Sequence, residues 1–209
     1  MVRRSAFTFI ELIFAIVIIA IAVVSLPMMK QVIFKGIDSA IVQEAVFAAA
    51  TELNEVTTAH WDDNSFEPGS LDTFARVIDH MGNCENNSSL PSYRYMPGHI
   101  VQPLHRKCLD SNLTTPADAS VNNGVTSLDD SVHGATNIFI DTTINSTGYK
   151  HHYDSNVTVT RPAFFDGQND NDMKRITVTI VDSDTNTIIT SLFTYSANIG
   201  EIDFYKKEY

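Results

Sequence analysis

The sequence predicts an α+β protein in which a long N-terminal helix packs on a C-terminal antiparallel sheet of about four strands. Two observations predict this class. An almost uninterrupted apolar run extends from Phe7 to Leu26 and passes into a segment whose apolar residues have helical spacing. The last third of the 209-residue chain then alternates Val and Ile with Thr, which is typical of half-buried strands.

The apolar run contains one charged residue, Glu11. About twenty helical residues span roughly 30 Å, the thickness of a bilayer's hydrocarbon core. Arg3 and Arg4 precede the run, and no basic residue follows until Lys30. By the positive-inside rule, the N-terminus stays in the cytoplasm and the rest of the chain is exported. A carboxylate inside a membrane helix costs about 2.5–3.5 kcal/mol on insertion scales, and such residues are usually functional.

The residues alone allow two interpretations of this run. An ordinary single-pass anchor accounts for the length and the arginines but leaves Glu11 unexplained. A secretory signal cleaved before Val23 is suggested by the small residues Ala20 and Ala22. This second interpretation places Glu11 within the apolar region of the signal, and the helical pattern continues smoothly past the cleavage point.

The segment "SAFTFIEL" resembles the processing motif of type IV pilins and type II secretion pseudopilins. That motif has a short basic leader, a small residue, then Phe-Thr-Leu-Ile-Glu and an apolar helix. The resemblance implies that a prepilin peptidase cuts between Ala6 and Phe7 and that Phe7 becomes the N-methylated terminus. Glu11 would be the acidic residue at the fifth place of the mature chain. The family's usual glycine before the cut is Ala6 here, and its common Leu is Phe9.

The resemblance also implies a role for Glu11 in assembly. A buried carboxylate offsets its desolvation by pairing with the new amine of Phe7, in its own chain or in a neighbour. The chain would then be a non-catalytic filament subunit in the inner membrane, with other pilin or pseudopilin subunits as partners. The N-terminus would be cytoplasmic, and the C-terminal domain periplasmic or in an extracellular filament. A type II secretion pseudopilin and a minor type IV pilin stay open as alternatives.

The predicted organisation has five parts along the chain. They are a leader peptide 1–6, a transmembrane and assembly helix 7–27, an amphipathic continuation of the helix 28–61, a variable loop region 62–135 with a short helix 70–82, and an antiparallel sheet 136–209. Pro27 predicts a bend or a locally melted turn in the long helix. Ser70 is the predicted N-cap of the short helix.

The amphipathic continuation presents one predicted apolar stripe. The stripe comprises Val42, Val46, Ala49, Leu53 and Val56. Glu44, Glu52 and Glu55 lie largely off it, so the helix is expected to seat the globular part through the stripe and to turn these carboxylates to water.

Four runs rich in Val, Ile and Thr predict the strands of the sheet. They are 138–144, 157–160, 176–180 and 188–195. The polar segment Asp182–Asn186 separates the last two runs and predicts a hairpin turn.

Cys84 and Cys108 are the only cysteines in the chain. Two thiols in an exported chain favour a disulfide over a metal site, which would normally need four ligands. Two buried free thiols are the alternative.

Composition and motifs argue against two classes of function, nucleic-acid binding and catalysis. The net charge of −11 argues against nucleic acid as a partner, because phosphate binding needs clustered Lys and Arg. The chain shows no Gly-rich phosphate loop, nucleophile elbow or His-Glu-x-x-His helix, so an enzyme is not predicted.

Two further patterns are candidates for ligands or modification. Asp166, Asn169, Asp170 and Asp172 could offer hard oxygens to Ca²⁺, although a solvated acidic turn explains them equally simply. Three Asn-x-Ser/Thr sequons have an acidic residue two positions earlier and resemble the extended sequon of bacterial N-glycosylation. Their acceptors are Asn87, Asn112 and Asn156.

A rival function comes from another class of protein. The chain could be a secreted or membrane-anchored binding or adhesive domain that carries an ordinary signal segment. A mature chain that starts at Phe7 supports the filament subunit, and one that starts at Val23 supports the binding domain.

Overall fold

A computed structural model of the protein describes residues 8–66, 75–80, 84–86, 94–95, 104–109, 127–138, 152–201 and 203–204. Its elements in chain order are α1 (Phe9–Val56), a short 3-10 helix (Asp63–Ser65), β1 (Glu85–Asn86), β2 (Arg94–Tyr95), β3 (Leu104–His105), β4 (His133–Asn137), β5 (Tyr153–Thr160), β6 (Ala163–Phe165), β7 (Gln168–Asp170), β8 (Met173–Asp182), β9 (Thr187–Ala197) and β10 (Asp203–Phe204). The chain divides into two compact units at the Glu44–Ala45 bond.

The first unit contains most of α1. The helix passes through Pro27 without a break, so the expectation of a melted turn there is wrong. Proline removes one backbone donor, and the helical residues on either side are numerous enough to carry the helix across that single missing bond.

The second unit begins with the last turns of α1, which pack on the sheet through Ala45, Ala49 and Val56. Val42 and Val46, which the predicted stripe included, are exposed. Ala49 and Val56 belong to the predicted stripe and Ala45 does not, so the buried face overlaps the predicted one and is displaced toward Ala45.

Two threonines end α1 four residues before the predicted end at His60. The Thr57 hydroxyl donates to the Asn54 carbonyl oxygen at 2.9 Å, and the Thr58 hydroxyl donates to the Glu55 carbonyl oxygen at 2.7 Å. These bonds satisfy carbonyl groups that have no partner at a helix C-terminus.

The main sheet has four antiparallel strands in the order β4-β5-β8-β9. The α+β class and the predicted runs 157–160, 176–180 and 188–195 are confirmed. Side chains alternate along β8, where Ile176, Val178 and Ile180 are buried on the inner face. The predicted turn 182–186 is confirmed as the β8–β9 hairpin, with Asn186 at a φ of 54°.

The first strand of the sheet differs from the prediction. β4 covers residues 133–137 and pairs with β5, whereas the predicted run began at Ile138, which follows the strand. The sheet also starts before the predicted boundary at 136. Pairing with a neighbour selects an edge strand more strongly than intrinsic preference does. Residues 139–144 lie outside the described residues.

Residues 75–80 are extended, so the predicted helix 70–82 is wrong over this part. The Val77 amide donates to the Lys107 carbonyl at 3.0 Å, and the Leu109 amide donates to the Val77 carbonyl at 3.0 Å. Strand-like pairing therefore satisfies the backbone groups that a helix would have bonded internally. The rest of the predicted helix lies outside the described residues.

The predicted disulfide is confirmed. Cys84 and Cys108 are bonded, with their Cα atoms 6.2 Å apart. Together with Val77 they form a buried cluster that links the two paired segments. The bond closes the loop 84–108, which follows the segment where the short helix was expected.

Replacing both cysteines by alanine should lower the free energy of unfolding by about 3 kcal/mol. The reason is that the 24-residue separation closes a loop in the unfolded chain, which loses entropy when it is crosslinked. Urea unfolding of parent and variant would measure the difference. Thiol labelling of the unreduced, unfolded parent provides the control, and two labelled cysteines would contradict the bond.

Candidate functional site

Glu11 lies in the first turn of α1. The Thr8 hydroxyl is 3.5 Å from Glu11 Oε2, and the Glu11 amide donates to the Thr8 carbonyl at 3.1 Å. Thr-x-x-Glu is the spacing of a capping box, and a carboxylate near a helix N-terminus is stabilised by the helix dipole. Glu11 therefore has a local role in beginning the helix. The predicted cleavage residues Ala6 and Phe7 lie outside the described residues.

The apolar side chains of α1 in the first unit are exposed. Phe9, Ile18 and Phe34 are each more than half exposed, and none of the most apolar 18-residue window is buried within the protein. The helix is long and apolar enough to cross a bilayer, as secretory signal sequences near an N-terminus also are. Its exposure distinguishes it from the core helix of a soluble protein. A single-pass anchor is compatible with this arrangement.

Glu52 joins the end of α1 to the sheet. Its Oε1 atom accepts a hydrogen bond from the Ser155 hydroxyl at 3.0 Å and lies 2.7 Å from His133 Nε2. His133 Nδ1 in turn lies 2.8 Å from the Gly134 carbonyl oxygen. The Thr136 hydroxyl also lies 3.2 Å from Nδ1. These contacts connect the helix to the edge strand β4.

A cavity of about 320 Å³ opens beside this pair and is lined by Glu52, Glu55 and His133, among others. Its groups do not form a nucleophile relay. Ser155 donates to the carboxylate and not to the imidazole, whereas a Ser–His–carboxylate relay places the imidazole next to the hydroxyl. Sequence reasoning missed this cluster because it assigned Glu52 to the solvent side of α1.

Lys174 is a buried charge of the main sheet, with a side chain only 1% exposed. Its ammonium donates to the Trp61 carbonyl at 2.7 Å and to Asp62 Oδ1 at 3.1 Å, and it also contacts Asp129. The ammonium lies 4.5 Å from the centre of the Trp61 ring. Two segments, 61–62 and the turn at Asp129, are therefore held around one cation of β8, with oxygen acceptors and an aromatic ring to replace its water. The alternation of β8 places Lys174 on the same buried face as Ile176, Val178 and Ile180.

Asp63 adjoins this centre and is almost fully buried. Burial raises the pKa of its carboxyl, and the neighbouring carboxylates of Asp130, Asp62 and Asp129 raise it further, while a hydrogen bond with Ser127 acts in the opposite direction.

Asp63→Asn should raise the thermal midpoint at pH 7. Since the pKa of Asp63 in the folded protein lies above its ordinary value of 3.8, folding favours the protonated carboxyl. Its contribution is fully present below pH 3.8 and is lost as the pH rises through the folded-state pKa. The variant and the parent should therefore melt together at about pH 3.5 and diverge at pH 7. Asp184→Asn, at an exposed carboxylate, is the control. Equal midpoints at pH 7 would contradict the prediction.

The four residues considered for calcium lie on and beside a tight hairpin. β6 and β7 are joined by Asp166 and Gly167, whose φ angles of 47° and 82° fit a type I′ turn. Asn169 and Asp170 are adjacent in β7 and point to opposite faces. Asp172 binds the Asn198 side chain at 3.0 Å.

Within the described part of the chain, no group of three or more His, Cys, Asp or Glu side chains is placed to hold a metal ion. Asp166, Asn169, Asp170 and Asp172 nevertheless line one cavity of about 440 Å³, so calcium binding there stays a prediction. The Asp-Gly pair is itself a hairpin signal and agrees with the acidic turn that was the alternative.

One of the three glycosylation candidates, Asn156, lies among the described residues. Asn156 lies in β5, an interior strand of the main sheet, where its backbone pairs with Thr179 of β8. Glycosylated sequons normally lie in surface loops, so the folded sheet is a poor acceptor at this position. Asn87 and Asn112 lie outside the described residues.

Fold and site together define a class: an α+β protein with a long exposed apolar helix at its N-terminus and a disulfide-bonded domain built on a four-stranded antiparallel sheet. No protein-family model matches the chain, and neither a curated protein nor a solved structure gives a significant match.

Proposed function

We propose that the chain is a non-catalytic filament subunit of the pilin-like class, either a type II secretion pseudopilin or a minor type IV pilin. It enters the inner membrane through α1, loses its leader to a prepilin peptidase and is N-methylated at Phe7. The observation that carries the proposal is a carboxylate, Glu11, in the first turn of a helix whose most apolar 18-residue window is entirely exposed, within the motif "SAFTFIEL".

The exposed helix supports the proposal through its surface. Apolar surface of this extent is not left in water, so it requires lipid or other helices. Lipid covers it before assembly and the helices of neighbouring subunits cover it afterwards, which is the change that a membrane-stored filament subunit undergoes. A helix that served only as an anchor would stay covered by lipid and would never pack against the helices of neighbouring subunits.

Glu11 supports the proposal through its charge. In a helix packed among neighbours, a cation brought to the same depth offsets the desolvation of the carboxylate beyond what the helix N-terminus supplies. The amine created at Phe7 by leader cleavage is such a cation, and it belongs to the incoming subunit. Pairing of this kind sets the axial register between subunits.

The processing step tests the proposal. Mass spectrometry of the chain extracted from membranes of cells with an active prepilin peptidase should find a methylated terminus at Phe7, whereas cells without the peptidase should retain Met1. Ala6→Gly, which restores the family's usual residue before the cut, should be processed at least as completely. A chain that starts at Val23 would support a secreted binding domain instead, and an intact Met1 beside active peptidase would contradict the proposal.

A further inference from the structure

The outer face of the main sheet, opposite the face on which α1 packs, carries an exposed aromatic patch. We define this aromatic patch as Phe165, Phe193 and Tyr195; the last two lie in β9, and Phe165 lies in β6 of the two-stranded β6-β7 sheet. Phe165 and Phe193 are 48% and 53% exposed. The Tyr195 ring meets Phe165 edge-on at 5.2 Å and Phe193 edge-on at 5.9 Å, and its hydroxyl donates to the Phe164 carbonyl at 3.1 Å. The rings are thus held in fixed positions while they face water.

Arg175 extends the patch. It pairs with Tyr195 across β8 and β9, so both residues lie on the outer face, and its guanidinium carbon is 4.3 Å from the centre of the Phe193 ring. Among the described residues, its Nε atom is buried without a hydrogen-bond partner, and its guanidinium makes no ion pair. This cation is unpaired in a chain with a net charge of −11.

An unpaired guanidinium beside exposed rings is poorly solvated in the free subunit. A carboxylate that docked there would make charge-assisted, bidentate hydrogen bonds, and the docking chain would cover the rings at the same time. Arg and Tyr are enriched among the residues that dominate binding energy at protein interfaces. The neighbouring outer-face positions are hydroxyl-bearing, including Thr158, Thr160 and Thr177, and form a polar rim.

We propose that Arg175 and the aromatic patch form a contact surface for a second copy of this chain and receive one of its exposed carboxylates. Charge complementarity favours this occupant. Each copy carries 25 acidic residues against 14 basic ones, so an unpaired cation on one copy meets a predominantly acidic surface on the next. Cation and carboxylate come from different places on the chain. The contact is therefore heterologous and can repeat along a filament without closing. The inference rests on the proposed function, which brings copies side by side.

Zero-length crosslinking tests the contact in the full chain in native membranes. Arg175→Lys keeps the positive charge and introduces an amine, which a carbodiimide joins only to a carboxylate in direct contact. Co-expression of isotope-labelled and unlabelled copies distinguishes crosslinks between chains from those within one chain. The matched control is Arg161→Lys at an exposed arginine. Arg175→Lys should give at least about tenfold more mixed-isotope product through the introduced amine than the control, the ratio expected of an interface hot spot.

A second substitution in the aromatic patch and a separate measurement of helix association test the contact surface independently of the filament. Adding Phe193→Ala, which removes an exposed ring, should reduce the crosslink severalfold. Cysteine crosslinking through Ile16→Cys on α1 reports helix association in the same membranes. If the helices crosslink while the amine at position 175 yields no mixed-isotope product, the contact surface is wrong and the filament proposal stands. If neither crosslink forms, both proposals are contradicted. A crosslink from position 175 to a different protein would overturn the second copy as occupant.

Discussion

Lys174→Met is expected to lower the free energy of unfolding of the sheet domain by about 3–5 kcal/mol. Methionine keeps the length of the side chain and its packing on Trp61, but it removes the charge. Asp62, which is fully buried, then loses its ammonium partner at 3.1 Å. An uncompensated buried carboxylate is the most costly outcome of breaking such a pair. In a domain of this size the thermal midpoint should fall by roughly 10 °C.

Trp61 is the only tryptophan of the chain and lies against Lys174, so its fluorescence reports unfolding at this centre. The full chain in detergent micelles is the sample. Arg161→Gln, which removes an exposed cation, is the control and should change the midpoint little. The double variant Lys174→Met/Asp62→Asn removes both charges and should recover part of the loss. If Lys174→Met melted within 2 °C of the parent, the ion-pair centre would not be a major source of stability.

Glu11→Gln is expected to abolish most filament assembly while leaving membrane insertion and leader cleavage intact. Glutamine preserves the size of the side chain and also serves at the third position of a capping box, so the helix start is retained. Only the charge is lost. The Phe7 amine of a neighbour would then be left without its partner at low dielectric, at a cost of about 3–5 kcal/mol.

Assembly is measured by cysteine crosslinking between the membrane helices of neighbouring copies at matched membrane levels. Glu55→Gln, at an exposed carboxylate near the far end of the same helix, is the control and should crosslink as the parent does. If Glu11 acts only as a helix cap, Glu11→Gln should also crosslink like the parent. That outcome would remove Glu11 from the assembly mechanism.

The parts of the fold that the sequence predicted well are those in which one local pattern decides the structure. In β8 the alternation of Ile176, Val178 and Ile180 with threonines matches the period of a strand with one buried face. The disulfide could be predicted equally well, because a chain that is expected to be exported and has only two cysteines allows a single pairing.

The parts that were missed are decided by distant partners. Residues 75–80 have helical spacing, but they pair with segment 107–109, more than twenty residues away. β4 is short and is stabilised by its backbone pairing with β5. Glu52 was expected to face solvent, and nothing near it in the sequence indicates its contact with His133. The acceptors of Lys174, Asp62 and Asp129, are likewise distant in sequence.

The partners of Lys174 also bear on when the domain can fold. Its contacts with Asp62 and Asp129 span 112 and 45 residues of sequence. Contacts between such distant segments form late, because each requires the closure of a long loop. Until β8 is available, the centre around Asp62 lacks its cation. In the export that we propose, a partly translocated chain would therefore stay open, and the tertiary structure would close only once most of the domain has crossed.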